Sequence, residues 1–281
     1  MAVGVLTGGT SGIGRWIALG LARSGLRVIL IVRDPARGLE TEAWIKARVA
    51  SAEVELFRAD LSSLAQTRQV GRAIGQRAPA IDVLVNNAGV FCSRRELTEE
   101  GLERVIAVNH LSPFVLTGAL LPSLRWAAGG ARIVNVGSST ADRAVIDPDD
   151  LQGERRWGMV RAYSQSKLAV TMATMEWARL LSGTGVVANV VHPGAVATGL
   201  VRSGGAIGLA WKVMAPFLLT AEAGADTPLH VAVSPAFAAV SGVYVKQRRI
   251  VRPNPLVQNR ALVARVWHAT EALAGEAAPA A

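Results

Sequence analysis

The chain has 281 residues, 51% of them apolar, enough for one large α/β domain or two small ones with a sizeable core. The formal charge is +9, from 30 basic and 21 acidic residues, but the arginines are scattered and only Lys246 to Arg252 forms a dense run. That distribution argues for a solvated surface suited to anionic small molecules and against nucleic acid; the single cysteine, Cys92, excludes an intramolecular disulfide framework and fits a reducing, cytoplasmic compartment.

The N-terminal stretch Val3 to Gly14 reads V-G-V-L-T-G-G-T-S-G-I-G. A short apolar run ends in a glycine-rich turn and passes into amphipathic sequence with Ile13, Ile17 and Leu21 at helical spacing. Gly8, Gly12 and Gly14 allow a tight turn whose N–H groups can approach a pyrophosphate at the positive end of the helix. The spacing is G-x-x-x-G-x-G instead of G-x-G-x-x-G, with the same mechanics.

Leu26 to Val32 reads as a buried parallel strand followed at once by Arg33. The end of this second strand meets the adenosine ribose in a dinucleotide fold, and an arginine there neutralises a 2′-phosphate, so Arg33 favours NADP(H) over NAD(H). Asp34, next in sequence, keeps the opposite preference open. Pro35 to Ala50 is expected to be helical, Glu53 to Arg58 a strand, Ser63 to Ala78 a helix and Ile81 to Val85 a strand. Asp60 either accepts a hydrogen bond from adenine or caps the helix starting near Ser62. This alternation implies a parallel sheet with right-handed crossovers.

The fourth strand runs into Asn86-Asn87-Ala88-Gly89, where small and amide-bearing residues let the chain pass close to a ligand. Two helical segments are expected next, Glu99 to Val108 and Leu111 to Trp126, with Asn109 at their junction, the usual place for a cap. The strand Ala131 to Val136 ends at Gly137-Ser138-Ser139. Tyr163 and Lys167, four apart, lie one turn apart on one helix face, and an ammonium beside a phenol lowers its pKa and tunes it for proton transfer. His192, beside Pro193 at the end of V-V-A-N-V-V, reads as structural, Ala225 to Ser234 as a helix and Gly242 to Val245 as the last strand. Pro253 and Pro255 precede an amphipathic helix, Leu256 to Leu273, and an Ala/Pro end expected to fray.

In this order the motifs resemble the short-chain dehydrogenase/reductase family over residues 3 to 246. They are T-G-G-T-S-G-I-G at Thr7 to Gly14, Asp60, N-N-A-G at Asn86 to Gly89, Asn109, Ser138, Y-S-Q-S-K at Tyr163 to Lys167, and H-P-G-A-V-A-T at His192 to Thr198. V-N-H-L-S-P-F at Val108 to Phe114, D-D-L-Q-G at Asp149 to Gly153, S-K-L-A at Ser166 to Ala169 and S-G-V-Y at Ser241 to Tyr244 look like its retinol-dehydrogenase-like branch, which typically uses NADP(H).

The resemblance implies an α/β fold, a doubly wound Rossmann-type parallel sheet of about seven strands with helices on both faces. Residues 1–250 would form this single domain, with a substrate lid at about 199–220, and 251–281 a C-terminal helical extension and frayed tail. Tyr163 would be the catalytic acid or base, Lys167 would hold the nicotinamide ribose, Ser138 would hydrogen-bond the substrate oxygen, and Asn109 would order a water behind Lys167. The cofactor, NADP(H), would touch Gly8, Thr10, Ser11, Gly12, Ile13 and Gly14 in the first turn and Arg33, Asp60 and Leu61 at the adenosine end. It would also touch Asn87, Ala88 and Gly89, Tyr163 and Lys167, and Pro193, Gly194, Val196 and Thr198. Gly137 departs from the family, standing where many relatives have the first of two serines, so Ser138 is the expected hydroxyl with Ser139 as fallback.

Leu200 to Thr220 carries Trp211, Met214, Phe217 and Leu218, an apolar lining for a bulky hydrophobic carbonyl or alcohol substrate. A lid is the first reading of this segment, a subunit interface the second and a membrane contact the third. The family resemblance also implies a homodimer or homotetramer. The expected reaction is NADPH-dependent ketone or aldehyde reduction; alcohol oxidation and a non-catalytic NADP(H)-binding regulator are the alternatives.

Overall fold

The computed structural model describes residues 1–194, 196 and 219–275. All five residues of β1 (Val3–Thr7) are buried, as an apolar run without alternation requires of a strand covered on both faces. The chain then alternates through α1 (Gly12–Arg23), β2 (Arg27–Val32), α2 (Pro35–Lys46), β3 (Val54–Arg58), α3 (Leu64–Arg77) and β4 (Val83–Asn86). A long helix, α4 (Arg104–Arg125), leads to β5 (Ala131–Val136), a 3₁₀ turn at Ser139–Arg143, α5 (Met159–Leu180) and β6 (Val186–His192). After residue 219 come α6 (Ala221–Val233), β7 (Tyr244–Lys246), β8 (Arg249–Val251) and α7 (Arg260–Ala274).

The strands form one sheet in the order β3-β2-β1-β4-β5-β6-β7-β8. Every pairing is parallel except the last, between β7 and β8. Strand order reverses between β1 and β4, so the loops that follow these two strands flank the crevice at the carboxyl edge of the sheet, where ligands bind in doubly wound folds. The Rossmann-type sheet is as expected; among the described residues it has eight strands, against about seven expected. The eighth comes from the basic run Lys246 to Arg252, which forms a hairpin through Gln247 and Arg248 at φ 48° and 61°. A two-residue turn of this kind normally advertises itself with Asn or Gly, and these residues do not. The turn is instead held by Arg248, whose guanidinium pairs with Asp226 and whose N–H bonds the Thr227 hydroxyl, so α6 holds the sheet edge.

The expected pair of helices around Asn109 is one continuous helix. Buried Glu103 caps it by accepting from the Ile106 N–H at 2.8 Å, so Glu99 to Gly101 stay outside, and Ala107–Leu111 adopts π-helical pairing. Asn109 therefore sits inside a π-turn instead of capping a break. Helix α4 is apolar and long enough to cross a membrane, yet 78% of that window is buried in the fold, as a core helix between the sheet and its neighbours should be.

Helix α7 packs into the same core. Trp267 stacks edge-on against Phe114 of α4, with ring centroids 5.0 Å apart, and against Trp177 of α5 at 5.1 Å. Beside this cluster His110 Nε2 lies 2.7 Å from Thr270 Oγ1. Because the Thr270 hydroxyl donates to the Val266 carbonyl, the histidine nitrogen is the donor to it, and the ring is neutral.

Replacing Trp267 with Ala is expected to cost about 3–5 kcal/mol, read by urea denaturation; a loss below about 1 kcal/mol would show that α7 is not part of the core. Burial also drives the His110 pKa from 6.5 to about 3. The unfolded chain takes up this proton first, so stability should be level above about pH 7 and fall as pH drops below 6.5, by at most ~1.4 kcal/mol per unit for this group. His110→Gln, which keeps a donor for Thr270, should flatten that slope in denaturation curves taken between pH 7 and 5.

Candidate active site

The glycine-rich turn lies at the carboxyl end of β1. Gly8 has φ +68°, and a Cβ there would come within 2.9 Å of the Ala88 Cα and the Asn87 amide. A Cβ at Gly14 would fall 2.1 Å from the Gly8 carbonyl oxygen. Only glycine permits this close stacking of turn, helix α1 and the N-N-A-G loop. Asn87 secures it by donating to the carbonyls of Thr7 at 3.0 Å and Gly8 at 3.1 Å, while the Thr7 hydroxyl accepts from the N–H groups of Asn87 and Ala88. Ser11, the N-cap residue of α1, makes no side-chain cap bond, and Thr10, Ile13 and Gly12 line the open first turn half-exposed. Backbone donors at a helix N-terminus beside a glycine cradle match a pyrophosphate.

At the adenosine end the structure separates Arg33 from Asp34. The Asp34 carboxylate caps α2, accepting from the N–H groups of Ala36 at 3.0 Å and Arg37 at 3.5 Å. Arg33 is exposed at the end of β2 and close enough to Asp60 to lower its pKa. Asp60 is not the helix cap, since Ser63 caps α3 by accepting from the Gln66 N–H. Its Oδ1 accepts instead from the N–H and hydroxyl of Ser62, each at 2.8 Å. Burial tends to raise the Asp60 pKa, but these bonds and the charges of Arg33 and Arg104 outweigh it and hold the carboxylate ionised. Leu61 follows it, half-buried.

The four residues expected to be catalytic converge at the ends of β4 and β5. Lys167, fully enclosed within α5, donates to the Val136 carbonyl at 2.8 Å. Its Nζ would lie in ordinary contact, 3.6 Å, with a Cβ at Gly89, which places the ammonium against the N-N-A-G loop. Asn109 clamps that same loop: its Oδ1 accepts from the Val90 N–H at 2.7 Å, and its Nδ2 donates to the Val90 carbonyl and to the Ser166 hydroxyl. The Ser166 hydroxyl in turn donates to the Tyr163 carbonyl, which ties the π-turn to the first turns of α5.

Tyr163 is 9% exposed, and the Ser138 hydroxyl is near enough to its phenol to pull the phenol pKa down. Ser139 is exposed and starts the 3₁₀ turn, so Ser138 is the partner of the phenol. One expectation is corrected. Burial raises the phenol pKa above its ordinary value, the Ser138 hydroxyl opposes this only in part, and burial lowers the Lys167 pKa to about 8. The ammonium lies 5.8 Å from the phenol ring centre and spends its bond on Val136, so desolvation of both groups outweighs their mutual attraction.

Pro193, Gly194 and Val196 follow β6, and Gly194 at φ +90° lies under the Leu219 side chain. Thr198 and the expected lid residues Trp211, Met214, Phe217 and Leu218 lie outside the described residues. His192 is neutral: burial, then the charge of Lys246, lowers its pKa to about 4, consistent with a structural histidine. Phe91, which the sequence reading passed over, packs edge-on against the Tyr163 ring at 5.1 Å, with half-buried Cys92 next to it. Its position two residues after N-N-A-G was the available signal.

A glycine cradle at a helix end, a cation at the second strand and a Ser/Tyr/Lys set at the fourth and fifth suit a nicotinamide dinucleotide and a carbonyl or alcohol. The short chain dehydrogenase family profile matches residues 2–206. The chain belongs to that family. It is an oxidoreductase of CH–OH and C=O groups with retinol-dehydrogenase-like relatives. It is 38% identical over 275 residues to a Streptomyces sp. (strain C5) protein provisionally named daunorubicin C-13 ketoreductase DnrU, covering 98% of this chain and 93% of the other. To retinol dehydrogenase 12 of Bos taurus it is 36% identical over 271 residues, covering 96% of this chain and 85% of the other. Among solved structures it resembles a Pseudomonas aeruginosa RhlG/NADP active-site complex, with TM-score 0.71, 28% identity and coverage of 88% and 94%.

Tyr163→Phe in this oxidoreductase should lower kcat about 10²–10⁴-fold while leaving cofactor affinity, measured by NADPH fluorescence titration, within about twofold. An undiminished kcat would remove the phenol from the reaction.

Proposed function

We propose that this protein is an NADPH-dependent reductase of a ketone or aldehyde carried on a bulky hydrophobic substrate. The observation that carries the reading is the buried Tyr163 phenol, near the Ser138 hydroxyl and stacked on Phe91. That phenol is protonated at neutral pH, the state a proton donor to a carbonyl oxygen needs, while burial by raising its pKa makes it a weaker acid. NADP(H) is the cofactor: a solved relative is an NADP complex, and Arg33 is the cation placed for a 2′-phosphate while Asp34 is occupied in capping α2.

When bound, the reduced nicotinamide supplies two electrons and a proton's worth of mass as hydride to the carbonyl carbon. The chain's own residues do the rest. Tyr163 gives its proton to the carbonyl oxygen, and Ser138 donates a hydrogen bond to the charge developing there. Lys167 keeps its cation beside the N-N-A-G loop, where the nicotinamide ribose would lie, and the Asn109 clamp holds that loop in place. Phe91 and Cys92 give the substrate side an apolar wall, which favours fused-ring or polyene carbonyls over sugars.

The retinol dehydrogenase relative favours a second reading, the same chemistry run toward alcohol oxidation with NADP⁺. The reducing NADPH pool of a cytoplasm favours the first. A panel of hydrophobic ketones and aldehydes that includes daunorubicin and all-trans-retinal, assayed by loss of NADPH absorbance, is expected to give turnover; oxidation of the matching alcohols alone would reverse the direction, and no turnover in either would overturn the reading. Arg33→Ala should weaken NADPH about 10–100-fold and NADH hardly at all, as removal of a charge-assisted phosphate contact requires. Equal losses for both cofactors would refute the contact.

A further inference from the structure

Within its own turn Ser138 is bonded only to Thr140 and Ala141, its hydroxyl accepting from the Thr140 N–H and hydroxyl and its carbonyl from the Ala141 N–H. It lies two residues past β5, is half-exposed, and caps a 3₁₀ turn of five residues, Ser139–Arg143, a geometry with poorer hydrogen bonds than an α-helix. Its hydroxyl is steered within the turn by Thr140, whose hydroxyl lies 3.1 Å away. The backbone of the turn is gripped from further along the chain. Tyr244 Oη is directed at the Ser138 carbonyl at 3.3 Å and at Asp142 Oδ1 at 3.2 Å. Asp142 also pairs with the Lys246 ammonium. Tyr244 and Lys246 are two residues apart on β7, so both side chains leave the same face of the strand. At the other end of the turn, Asn254 uses both amide hydrogens, on the Ala141 carbonyl at 2.8 Å and the Ala144 carbonyl at 2.9 Å.

Tyr244 is 2% exposed and Asn254 6%, so neither polar group exchanges its partner for water without cost. A phenylalanine would fill the same space as Tyr244, which makes the hydroxyl, not the ring, the informative atom. Gly137 fits the same arrangement. Its N–H donates to the Val191 carbonyl at 2.8 Å, and a Cβ there would press within 2.9 Å of Val190 Cγ1, so the missing side chain lets β6 close against the segment that carries Ser138.

We propose that Tyr244 is a positioning residue for Ser138, and that Asp142, Lys246 and Asn254 complete a clamp by which the C-terminal part of the chain holds the serine in line with Tyr163. The proposal rests on the reading of Ser138 and Tyr163 given above. Tyr244 touches neither substrate nor cofactor in this scheme; it acts through the Ser138 backbone. A displacement of about 1 Å at a catalytic group can cost on the order of 100-fold in rate, so the clamp has a kinetic consequence out of proportion to its effect on stability.

The test is a double-mutant cycle on the full-length, NADPH-loaded protein, using the panel carbonyl it turns over. Tyr244→Phe should lower kcat about 10–100-fold with the KM for NADPH within about twofold of wild type. In a Ser138→Ala background the same change should cost nothing further. Losses that multiply, or an unchanged kcat in Tyr244→Phe while Ser138→Ala is slow, overturn the clamp and leave the reading of the site intact. A Ser138→Ala variant with full activity overturns both. Asp142→Asn, which keeps an acceptor for Tyr244, should retain most of the rate that Asp142→Leu loses; equal losses count against the clamp. Independently of turnover, crystal structures of wild type and Tyr244→Phe should differ in the placement of Ser138 Oγ by about 1 Å, and superimposable serines overturn the proposal.

Discussion

The buried ammonium of Lys167 is the constraint around which the site is built. A cation removed from water carries a penalty of several kcal/mol unless its surroundings supply compensating dipoles. Here the Val136 carbonyl supplies one such dipole, and burial still lowers the lysine pKa to about 8. The site therefore needs β5 to end where it does, so that its last carbonyl points at α5. It also needs the loop containing Gly89, against which Nζ lies, to stay in place. Asn109 meets the last requirement from inside a π-turn, because the extra residue in that turn brings its amide onto the Val90 backbone.

The same burial sets the acid–base character of the site. Tyr163 is enclosed alongside Lys167, and desolvation acts on the two in opposite directions, raising the phenol and lowering the amine. Burial thus favours the neutral form of each, although at neutral pH the phenol is protonated in any case and a lysine with pKa about 8 is still largely charged. The Ser138 hydroxyl works against the shift of the phenol, and the Ser138 backbone is held by Tyr244 at the far side of the sheet. The segment that carries Ser138 is thus bonded to a strand that follows it by 106 residues in the chain.

Much of this was legible in the sequence because it depends on local chemistry. Gly8 and Gly14 declare a turn in which side chains have no space, the fully apolar strands declare a sheet covered on both faces, and the i, i+4 placement of Tyr163 and Lys167 follows from the helical repeat alone. Other features were hidden. The basic run Lys246 to Arg252 conceals a hairpin because its turn residues, Gln247 and Arg248, are stabilised by contacts to Asp226 and Thr227 on another helix instead of by their own preferences. Asp34 and Asp60 each had two readings. Asp34 is found capping α2, and the cap of α3 is taken by Ser63 and not by Asp60.

The sequence by itself determined the fold class, the order of its motifs and the residue types that the proposed site draws together, since periodicity, glycine placement and residue type are properties of short stretches. Only the tertiary structure decided the direction of the Tyr163 and Lys167 pKa shifts, the π-turn that carries Asn109, the packing of Trp267 into the core and the grip of Tyr244 on Ser138. Each of these is set by how much water is excluded and by which groups from distant parts of the chain replace it, and neither quantity can be read from neighbours in sequence.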